Sequence, residues 1–279
     1  MLKRFIPLFV SILTISLVFA GCGSTKQVSS SSETQSSVST VSTATTNLLD
    51  KIKADGKIKI GTEGTYAPFT FHDSTGKLTG FDVEIAEEIA KRLGVKADFI
   101  ETKWDGMFAG LDSKRFDAVI NEVTIKEDRL KKYDFSDPYI VSKAVLIVNK
   151  DNNDIKTFAD LKDKKSGQSL TSNLAEIAKT NGANIVQVDG FNQAIDLLVS
   201  KRIDATINDS LSFLDFKKQK PDAPIKIVAN MKTADQNGIM FNKGNKELVD
   251  AVNKALSDMK ADGTYLKISQ KWFGEDVSK

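Results

Sequence analysis

Acidic and aromatic side chains suited to holding a small charged molecule come early in the sequence. Glu63 and Tyr66 lie in the loop 61–69, whose small residues let a ligand approach the backbone, but which lacks the lysine of a phosphate-binding loop. Glu63 would attract a cation, Tyr66 would supply a flat apolar wall, and Trp104 could face Tyr66. A turn into a second strand and a partly buried core indole are the alternative interpretations of these segments.

Groups that could bind a carboxylate occur further along the chain. Arg129 closes the segment 121–129, and a guanidinium binds a carboxylate through two parallel hydrogen bonds. Ser172 and Asn173 precede a predicted helix, whose exposed N–H groups and positive dipole end can bind an anion. A surface ion pair of Arg129 with Glu127 or Asp128, and ordinary helix capping by the serine and asparagine, are the alternatives.

Composition excludes several kinds of chemistry. The 279 residues include 39 basic and 37 acidic ones, a formal net charge of +2, with one histidine and one cysteine. This balance gives no support to nucleic-acid binding, and a single cysteine leaves no partner for a disulfide. Every mechanism with a histidine base would depend on His72 alone. We expect no metal and no cofactor, because the acidic segment 150–154 also lacks the glycine of a calcium loop.

The N-terminal residues have the composition of an export signal and a tether. Lys3 and Arg4 precede the uncharged stretch 5–22, which is typical of a signal peptide. Small residues lead up to Cys22, as in the lipobox of bacterial lipoproteins, so residues 1–21 are the predicted signal and Cys22 the predicted lipid attachment site. A free buried cysteine is the alternative. Residues 24–46 contain 15 serines and threonines, a composition too polar to form a core.

An internal repeat divides the remaining chain. Residues 104–122 and 191–209 align at an offset of 87 with eight identities in nineteen positions. In each copy an apolar helix pattern leads into a short buried strand, and the polar pairs 121–122 and 208–209 come at the strand ends. Ligands of open α/β sheets bind at these carboxyl ends. A recurring turn between helix and strand would also explain the similarity, but the matching polar pairs favour two facing lobes.

Alternating strands and helices predict an α/β protein with mostly parallel sheets. Strands are predicted at 57–61, 145–148 and 225–228, and helices at 81–93 and about 246–260. We expect the chain to cross between lobes near 142–148 and again near 235–241.

Taken together, several segments resemble the polar amino-acid solute-binding proteins of ABC importers, and most closely the L-cystine-binding lipoproteins. The resemblance covers residues 47–279 and rests on TEGTYAPF, KLTGFDVEIAEEIAKRLG, KWDGMFAGLDSKRFDAVIN, YDFSDPY, QSLTSN and DGTYLKISQKWFG. It implies a two-lobe periplasmic-binding-protein-like fold of type II, with two crossover strands forming the hinge. Lobe 1 would comprise 47–143 and 235–279, and lobe 2 would comprise 144–234, after the signal at 1–21 and the tether at 22–46.

The resemblance also implies roles for individual residues. Arg129 would bind the α-carboxylate of the ligand, helped by Thr124 and by the helix start at Ser172 and Asn173. Asp209 would bind the α-ammonium together with the backbone around Val123. The side-chain stem of the ligand would lie between Tyr66 and Trp104, and its far end would meet Glu63, Asn121 and Glu122.

Glu122 departs from the pattern of the cystine binders, which tend to have glutamine at this position. A site with Glu63, Glu122 and Asp209 against Arg129 is formally negative by two, which would also suit a basic amino acid. Protonation of Glu122 in a closed, drier site would remove this conflict for cystine.

The resemblance implies a monomeric, non-catalytic receptor on the outer face of the cell membrane, anchored by lipid, that delivers an amino acid to an ABC permease. Two other functions use the same fold. A sensor would bind the ligand and signal through a separate partner. An enzyme similar to the secreted cyclohexadienyl dehydratases would need a general acid, for which Glu122 is the one candidate.

Overall fold

The structure is a computed structural model that describes residues 47–279, so Cys22 and the predicted signal and tether lie outside the described residues. The strands, in chain order, are β1 (Lys57–Thr62), β2 (Thr65–Tyr66), β3 (Thr70–His72), β4 (Leu78–Thr79), β5 (Lys96–Glu101), β6 (Ala118–Thr124), β7 (Tyr133–Phe135), β8 (Ile140–Ser142), β9 (Ala144–Asn149), β10 (Lys165–Gln168), β11 (Asn184–Gln187), β12 (Ala205–Asp209), β13 (Ile225–Asn230) and β14 (Asp235–Asn242). The α-helices are α1 (Leu48–Asp55), α2 (Phe81–Leu93), α3 (Trp104–Asp112), α4 (Glu127–Leu130), α5 (Asn173–Thr180), α6 (Phe191–Val199), α7 (Ser210–Gln219), α8 (Lys246–Ala261) and α9 (Thr264–Phe273).

Two sheets organise the fold. The larger sheet has the order β5-β1-β6-β14-β7, with β8 also paired to β14, and the second has the order β11-β10-β12-β9-β13. We call each sheet with the helices packed on it a lobe, the first lobe containing the larger sheet. Short strands β2, β3 and β4 form a separate small antiparallel sheet.

The helices bury the faces that their sequence periodicity predicts. In α2 the buried side chains include Phe81, Ile85 and Ile89, and Gly94 ends the helix in the left-handed conformation, where its N–H bonds back to the last turn. The strands predicted at 57–61, 145–148 and 225–228 and the helix at 246–260 agree with β1, β9, β13 and α8 to within two residues.

The expectation of mostly parallel sheets is correct only for the strands that the helices connect. Strands β5, β1 and β6 run parallel, as do β11, β10 and β12. Strands β14 and β9 pair antiparallel with their neighbours on both sides. Both follow the places where the chain passes from one sheet to the other, between β8 and β9 and between β13 and β14. A strand that enters a sheet from the opposite lobe arrives without a crossover helix, and it can therefore run antiparallel.

Strand β6 contains an irregularity next to its polar residues. Against β14, Val119 pairs with Met240 but Val123 pairs with Gly238, so β6 carries extra residues between them. Glu122 lies there with φ of 49°, a left-handed conformation that is uncommon for a non-glycine residue. Such a bulge redirects side chains, and here it turns the side chains of Asn121 and Glu122 away from the directions that they would have in a regular strand.

Among residues 47–279, none of the helices combines the length and the apolar character needed to cross a membrane.

Candidate ligand-binding site

A cavity of about 730 Å³ lies between the two sheets, at the carboxyl ends of their parallel strands. This volume includes space that is open to solvent. Of the residues predicted for the site, nine line it: Glu63, Tyr66, Trp104, Asn121, Glu122, Thr124, Ser172, Asn173 and Asp209. Val123 and Arg129 lie behind its wall.

Glu63 is held at one end of the cavity by Asn121. The Asn121 Nδ2 group donates to Glu63 Oε2 at 2.7 Å, and Asn121 Oδ1 accepts the Glu63 backbone N–H at 2.8 Å. Burial raises the pKa of the Glu63 carboxyl to about 7, although the hydrogen bonds from Asn121 and from the Trp104 backbone lower it. Gly64 follows at φ of 71°, a left-handed conformation that favours glycine, and a Cβ there would lie 2.2 Å from Glu101 Oε2, so the Glu101 side chain would have to move.

Arg129 is buried and only partly satisfied. Its Nη1 donates to the Thr124 carbonyl at 2.8 Å, while Nη2 is buried with no hydrogen-bond partner among residues 47–279. The guanidinium carbon lies 5.6 Å from the ring centroid of Trp104 and 5.2 Å from that of Phe108, within the range of cation–π attraction. Burial lowers the pKa of Arg129 to about 10, so it stays charged at neutral pH.

The surface ion pair considered for Arg129 is not formed. Asp128 pairs with Lys126 and Glu127 with Lys131, which leaves the guanidinium to the interior. A buried cation with a free donor is costly unless a partner neutralises it, and Thr124 next to it faces the cavity.

Glu122 contacts residues of both lobes. Its Oε2 lies 2.9 Å from the Tyr66 hydroxyl and its Oε1 lies 3.3 Å from the Ser142 hydroxyl, and its carboxyl also contacts that of Asp209. Burial raises the pKa of Glu122 well above its usual range, and the neighbouring Asp209 raises it further. The structure therefore places this side chain beside Asp209 and Tyr66 instead of at the Glu63 end.

Asp82 holds the backbone of Glu122 through a hydrogen bond, a role that was not predicted from the sequence. It is 1% exposed, accepts the Glu122 N–H at Oδ2 (2.8 Å) and accepts the Tyr139 hydroxyl at Oδ1 (2.9 Å). Burial raises the pKa of Asp82 to about 7. The sequence contains a signal for this role. Asp82 follows Phe81 on the apolar face of α2, where an unpaired carboxylate would be unfavourable, so this position indicates a buried carboxyl group with hydrogen-bond partners.

Asp209 is the N-cap of α7. Its Oδ1 accepts the Leu211 N–H at 2.7 Å, and its Oδ2 accepts a short hydrogen bond from Ser142. Burial raises the pKa of Asp209, opposed by these hydrogen bonds and by Glu122. Ser142, which sequence analysis also missed, thus links the end of β8 in the first lobe to a capping residue in the second.

The start of α5 combines the two interpretations considered for it. The Ser172 hydroxyl accepts the Ala175 N–H at 3.0 Å and donates to the Ser169 carbonyl at 2.9 Å, so it is an ordinary N-cap. Ser172 and Asn173 also line the cavity, so the positive end of the helix dipole faces its interior.

Val123 is fully buried, and its backbone pairs with Gly238 in β14.

Contacts across the mouth of the cavity show that the lobes are closed. Asp105 on α3 accepts hydrogen bonds from the backbone of Leu170 and Thr171, from the Thr171 hydroxyl and from the Gln187 amide, at 2.9 to 3.3 Å. Two ion pairs, Lys103 with Asp189 and Lys126 with Glu176, also join the lobes. No local sequence pattern identifies Asp105, because its partners are more than 60 residues away along the chain.

Comparison with known proteins identifies the family. The profile of the bacterial extracellular solute-binding proteins, family 3, matches residues 58–275. The chain belongs to this family. The L-cystine-binding protein TcyA of Bacillus subtilis (strain 168) is 48% identical over 280 residues, and the alignment covers 100% of both chains.

Two solved structures resemble this solute-binding protein to different degrees. An ancestral arginine-binding protein bound to arginine is 44% identical, with a TM-score of 0.74 over 78% of this chain and 98% of that one. The L-cystine solute receptor of Neisseria gonorrhoeae in its unliganded open conformation is 47% identical, but its TM-score is 0.55 over 83% and 99% of the two chains. The open structure superimposes less well despite its higher identity, as expected if the present structure is closed.

The raised pKa values of Glu63 and Asp82 predict that stability falls as pH rises. The free side chains have pKa values of 4.5 and 3.8, against about 7 in the folded protein, so folding takes up protons within this window. Their contribution is complete below about pH 4 and is lost as pH rises through 7, by up to about 1.4 kcal/mol per pH unit for each proton.

Urea unfolding at several pH values tests this prediction. Glu63→Gln should flatten the decline between pH 5 and 8, whereas Glu87→Gln, an exposed position on α2, should leave it unchanged. Equal slopes in the wild type and Glu63→Gln would contradict the assignment of a raised pKa to Glu63.

Proposed function

We propose that this solute-binding protein captures L-cystine outside the cytoplasm and presents it to the permease of an ABC importer. The observation that carries the proposal is a closed cavity that brings together ionisable groups of both signs, none of which forms an ion pair within residues 47–279. Arg129 has a free donor behind one wall, and the carboxyls Glu63, Glu122 and Asp209 line the others. An amino acid carries the complementary carboxylate and ammonium on the same carbon atom, Cα.

The ligand's α-carboxylate would complete the hydrogen bonds of Arg129. Nη2 is the donor without a partner among the described residues, and Thr124 of the first lobe and the start of α5 in the second lobe both line the cavity. A guanidinium and a helix N-terminus together favour an anion more than either does alone. The α-ammonium would bind Asp209 and Glu122, whose carboxyls are in contact.

The remainder of the ligand would lie between aromatic residues and end at Glu63. Tyr66 and Trp104 both line the cavity, and Glu63 with its Asn121 partner closes one end. In L-cystine the second ammonium group would meet Glu63. The similarity to TcyA over the full length supports this ligand.

A basic amino acid is the second candidate. The lining residues include four carboxyl groups, those of Glu63, Glu122, Asp209 and Asp235, and a guanidinium or ammonium side chain would meet Glu63 without bringing a second carboxylate. The similarity to the ancestral arginine-binding protein supports this alternative.

The two lobes would move against each other on binding. We propose that 47–143 with 235–279 form one body and 144–234 the other, hinged where the chain passes between the sheets. Ligand binding favours closure only if it stabilises the closed form more than the open one. The ligand would meet this condition because it provides partners for groups that are brought together and buried only when the cavity is closed.

Calorimetric titration with L-cystine, L-cysteine, L-arginine, L-lysine and L-glutamine under non-reducing conditions tests the ligand. We expect selective binding of L-cystine that is lost on adding reductant, with the ligand recovered unchanged. Arg129→Ala should weaken binding on the order of 100-fold or more, because it removes one partner of a buried charge pair. Arg129→Lys should be intermediate, since it keeps the charge but loses the fork of donors.

Lys131→Ala is the matched control, because this exposed lysine at the end of α4 pairs only with Glu127 among the described residues. It should bind like the wild type. Tight binding of L-arginine with no response to L-cystine would replace the first candidate by the second, and silence toward every amino acid would contradict the receptor.

The bonds of Asp105 predict a role in closure. Asp105→Ala removes four hydrogen bonds that exist only between closed lobes. A hydrogen bond contributes about 0.5–1.5 kcal/mol, and these four share one partly exposed carboxylate, so their sum is reduced. We therefore expect ligand binding to weaken on the order of tenfold. Small-angle scattering should show a more open ligand-free protein. Asp196→Ala, an exposed position on α6, is the control; equal affinities of both variants would contradict the role.

We also propose that Cys22 carries a lipid that holds the protein at the outer face of the membrane, with 22–46 as the tether. Two acyl chains provide stable attachment. Cys22→Ala should move the protein from the membrane fraction to the supernatant, and retention in the membrane fraction would exclude this anchor.

A further inference from the structure

Glu122 and Asp209 meet between the lobes although both are acidic. Glu122 belongs to the bulge of β6 in the first lobe, and Asp209 ends β12 in the second. The Ser142 hydroxyl lies 3.3 Å from Glu122 Oε1 and also hydrogen-bonds Asp209 Oδ2, so the two carboxyl groups are neighbours around one hydroxyl group. Two ionised carboxylates at this separation would repel each other strongly in a buried site.

The surrounding hydrogen-bond donors are too few for two ionised carboxylates. Ser142 has a single hydroxyl proton for both Glu122 Oε1 and Asp209 Oδ2. Tyr66 likewise has one for Glu122 Oε2, at 2.9 Å, and for the Asn208 oxygen, at 3.0 Å. Four acceptors therefore compete for two hydrogens. One further proton on the pair would let Glu122 donate to Asp209 and relieve this shortage.

The charges around the pair do not supply the missing neutralisation. The groups that face it are Tyr66 from β2, Asp82 from α2 and Tyr139, both beneath the Glu122 backbone, Ser142 from β8 and Asp235 from β14. Asp82 and Asp235 add negative charge. Within residues 47–279, neither Glu122 nor Asp209 forms an ion pair with a lysine, arginine or histidine, and the Arg129 guanidinium binds the Thr124 carbonyl.

We propose that, in the ligand-free closed protein, Glu122 and Asp209 hold a single proton between them, and that the ammonium group of the ligand takes the place of this proton. Binding would then release one proton to solvent: the ammonium stays charged, Glu122 ionises, and the pair with the ammonium carries a net charge of −1, as the pair with the proton did. This rests on the proposed amino-acid receptor function.

The exchange makes Glu122 a specificity-determining residue. Either a proton or an ammonium group must lie between Glu122 and Asp209 for the lobes to close at this point. The site therefore recognises the α-amino group of the ligand by its positive charge. Affinity should also depend on pH, because a ligand that displaces a proton competes with protons. With one proton released, the dissociation constant should rise up to tenfold for each pH unit of acidification.

Calorimetry with L-cystine, and with L-arginine, in phosphate and Tris buffers at pH 7 measures the protons released, because the two buffers take up protons with different enthalpies. The wild type should release up to about one proton per ligand, since the coupled pair titrates as a unit. Glu122→Gln can donate to Asp209 as a protonated glutamic acid would, but it has no proton to lose. Its release should be smaller than that of the wild type by the proton of the pair, and its affinity should vary much less between pH 5 and 7.

Glu63→Gln separates this proton from the one on the other buried carboxyl of the cavity. It should retain the part of the release that Glu122→Gln loses. No release from the wild type, equal release from the wild type and Glu122→Gln, or loss of all release in Glu63→Gln alone would each overturn the proposal.

A measurement without ligand separates this proposal from the receptor function. If no amino acid binds, the receptor function fails, but the shared proton is still detectable through stability. The free glutamic acid has a pKa of 4.5, so above this pH folding would take up the proton. The unfolding equilibrium constant of the wild type should therefore rise relative to that of Glu122→Gln, by up to tenfold per pH unit, as pH increases from 5. Parallel pH profiles for the two proteins would overturn the shared proton even if amino acids bind.

Discussion

Ionisable groups that are buried away from water, without ion-pair partners among residues 47–279, are the constraint on which this structure depends. Arg129 keeps a buried donor free, and Glu122 and Asp209 face each other across the lobes. Buried polar and charged groups without partners are unfavourable, so the closed form is incomplete by itself. A zwitterion brings a carboxylate for the guanidinium and an ammonium for the acids. The same groups that make the empty closed form costly therefore link ligand binding to closure.

The fold places these groups where closure can use them. The bulge in β6, supported by Asp82, turns Glu122 toward the second lobe, and Ser142 lies where the chain passes between the sheets. Contacts near such a crossing move little when the lobes separate, whereas those of Asp105 lie across the mouth. The inner contacts can therefore select the ligand, and the outer contacts can set how firmly the lobes close around it.

The sequence predicts the elements well but only part of the site chemistry. Periodicity and glycine stops locate β1, α2 and α8, because these patterns are local, and the repeat places the polar pairs at strand ends. The left-handed Glu122 has no local signal, since glutamic acid rarely adopts this conformation. Its contact with Asp209 joins residues 87 positions apart, and the Asp105 bonds depend on the closed arrangement of the lobes. The antiparallel direction of β9 and β14 has no local signal either, because it depends on where the chain crosses between the sheets.

A crystal structure of the protein with L-cystine tests the account most directly, because it locates both charged groups of the ligand at once. We predict a carboxylate within hydrogen-bond distance of Arg129 Nη2 and the adjacent ammonium between the carboxyls of Glu122 and Asp209, in lobes closed as described. A ligand bound elsewhere, or bound in the cavity with Arg129 Nη2 still unpartnered and Glu122 still in contact with Asp209, would contradict it.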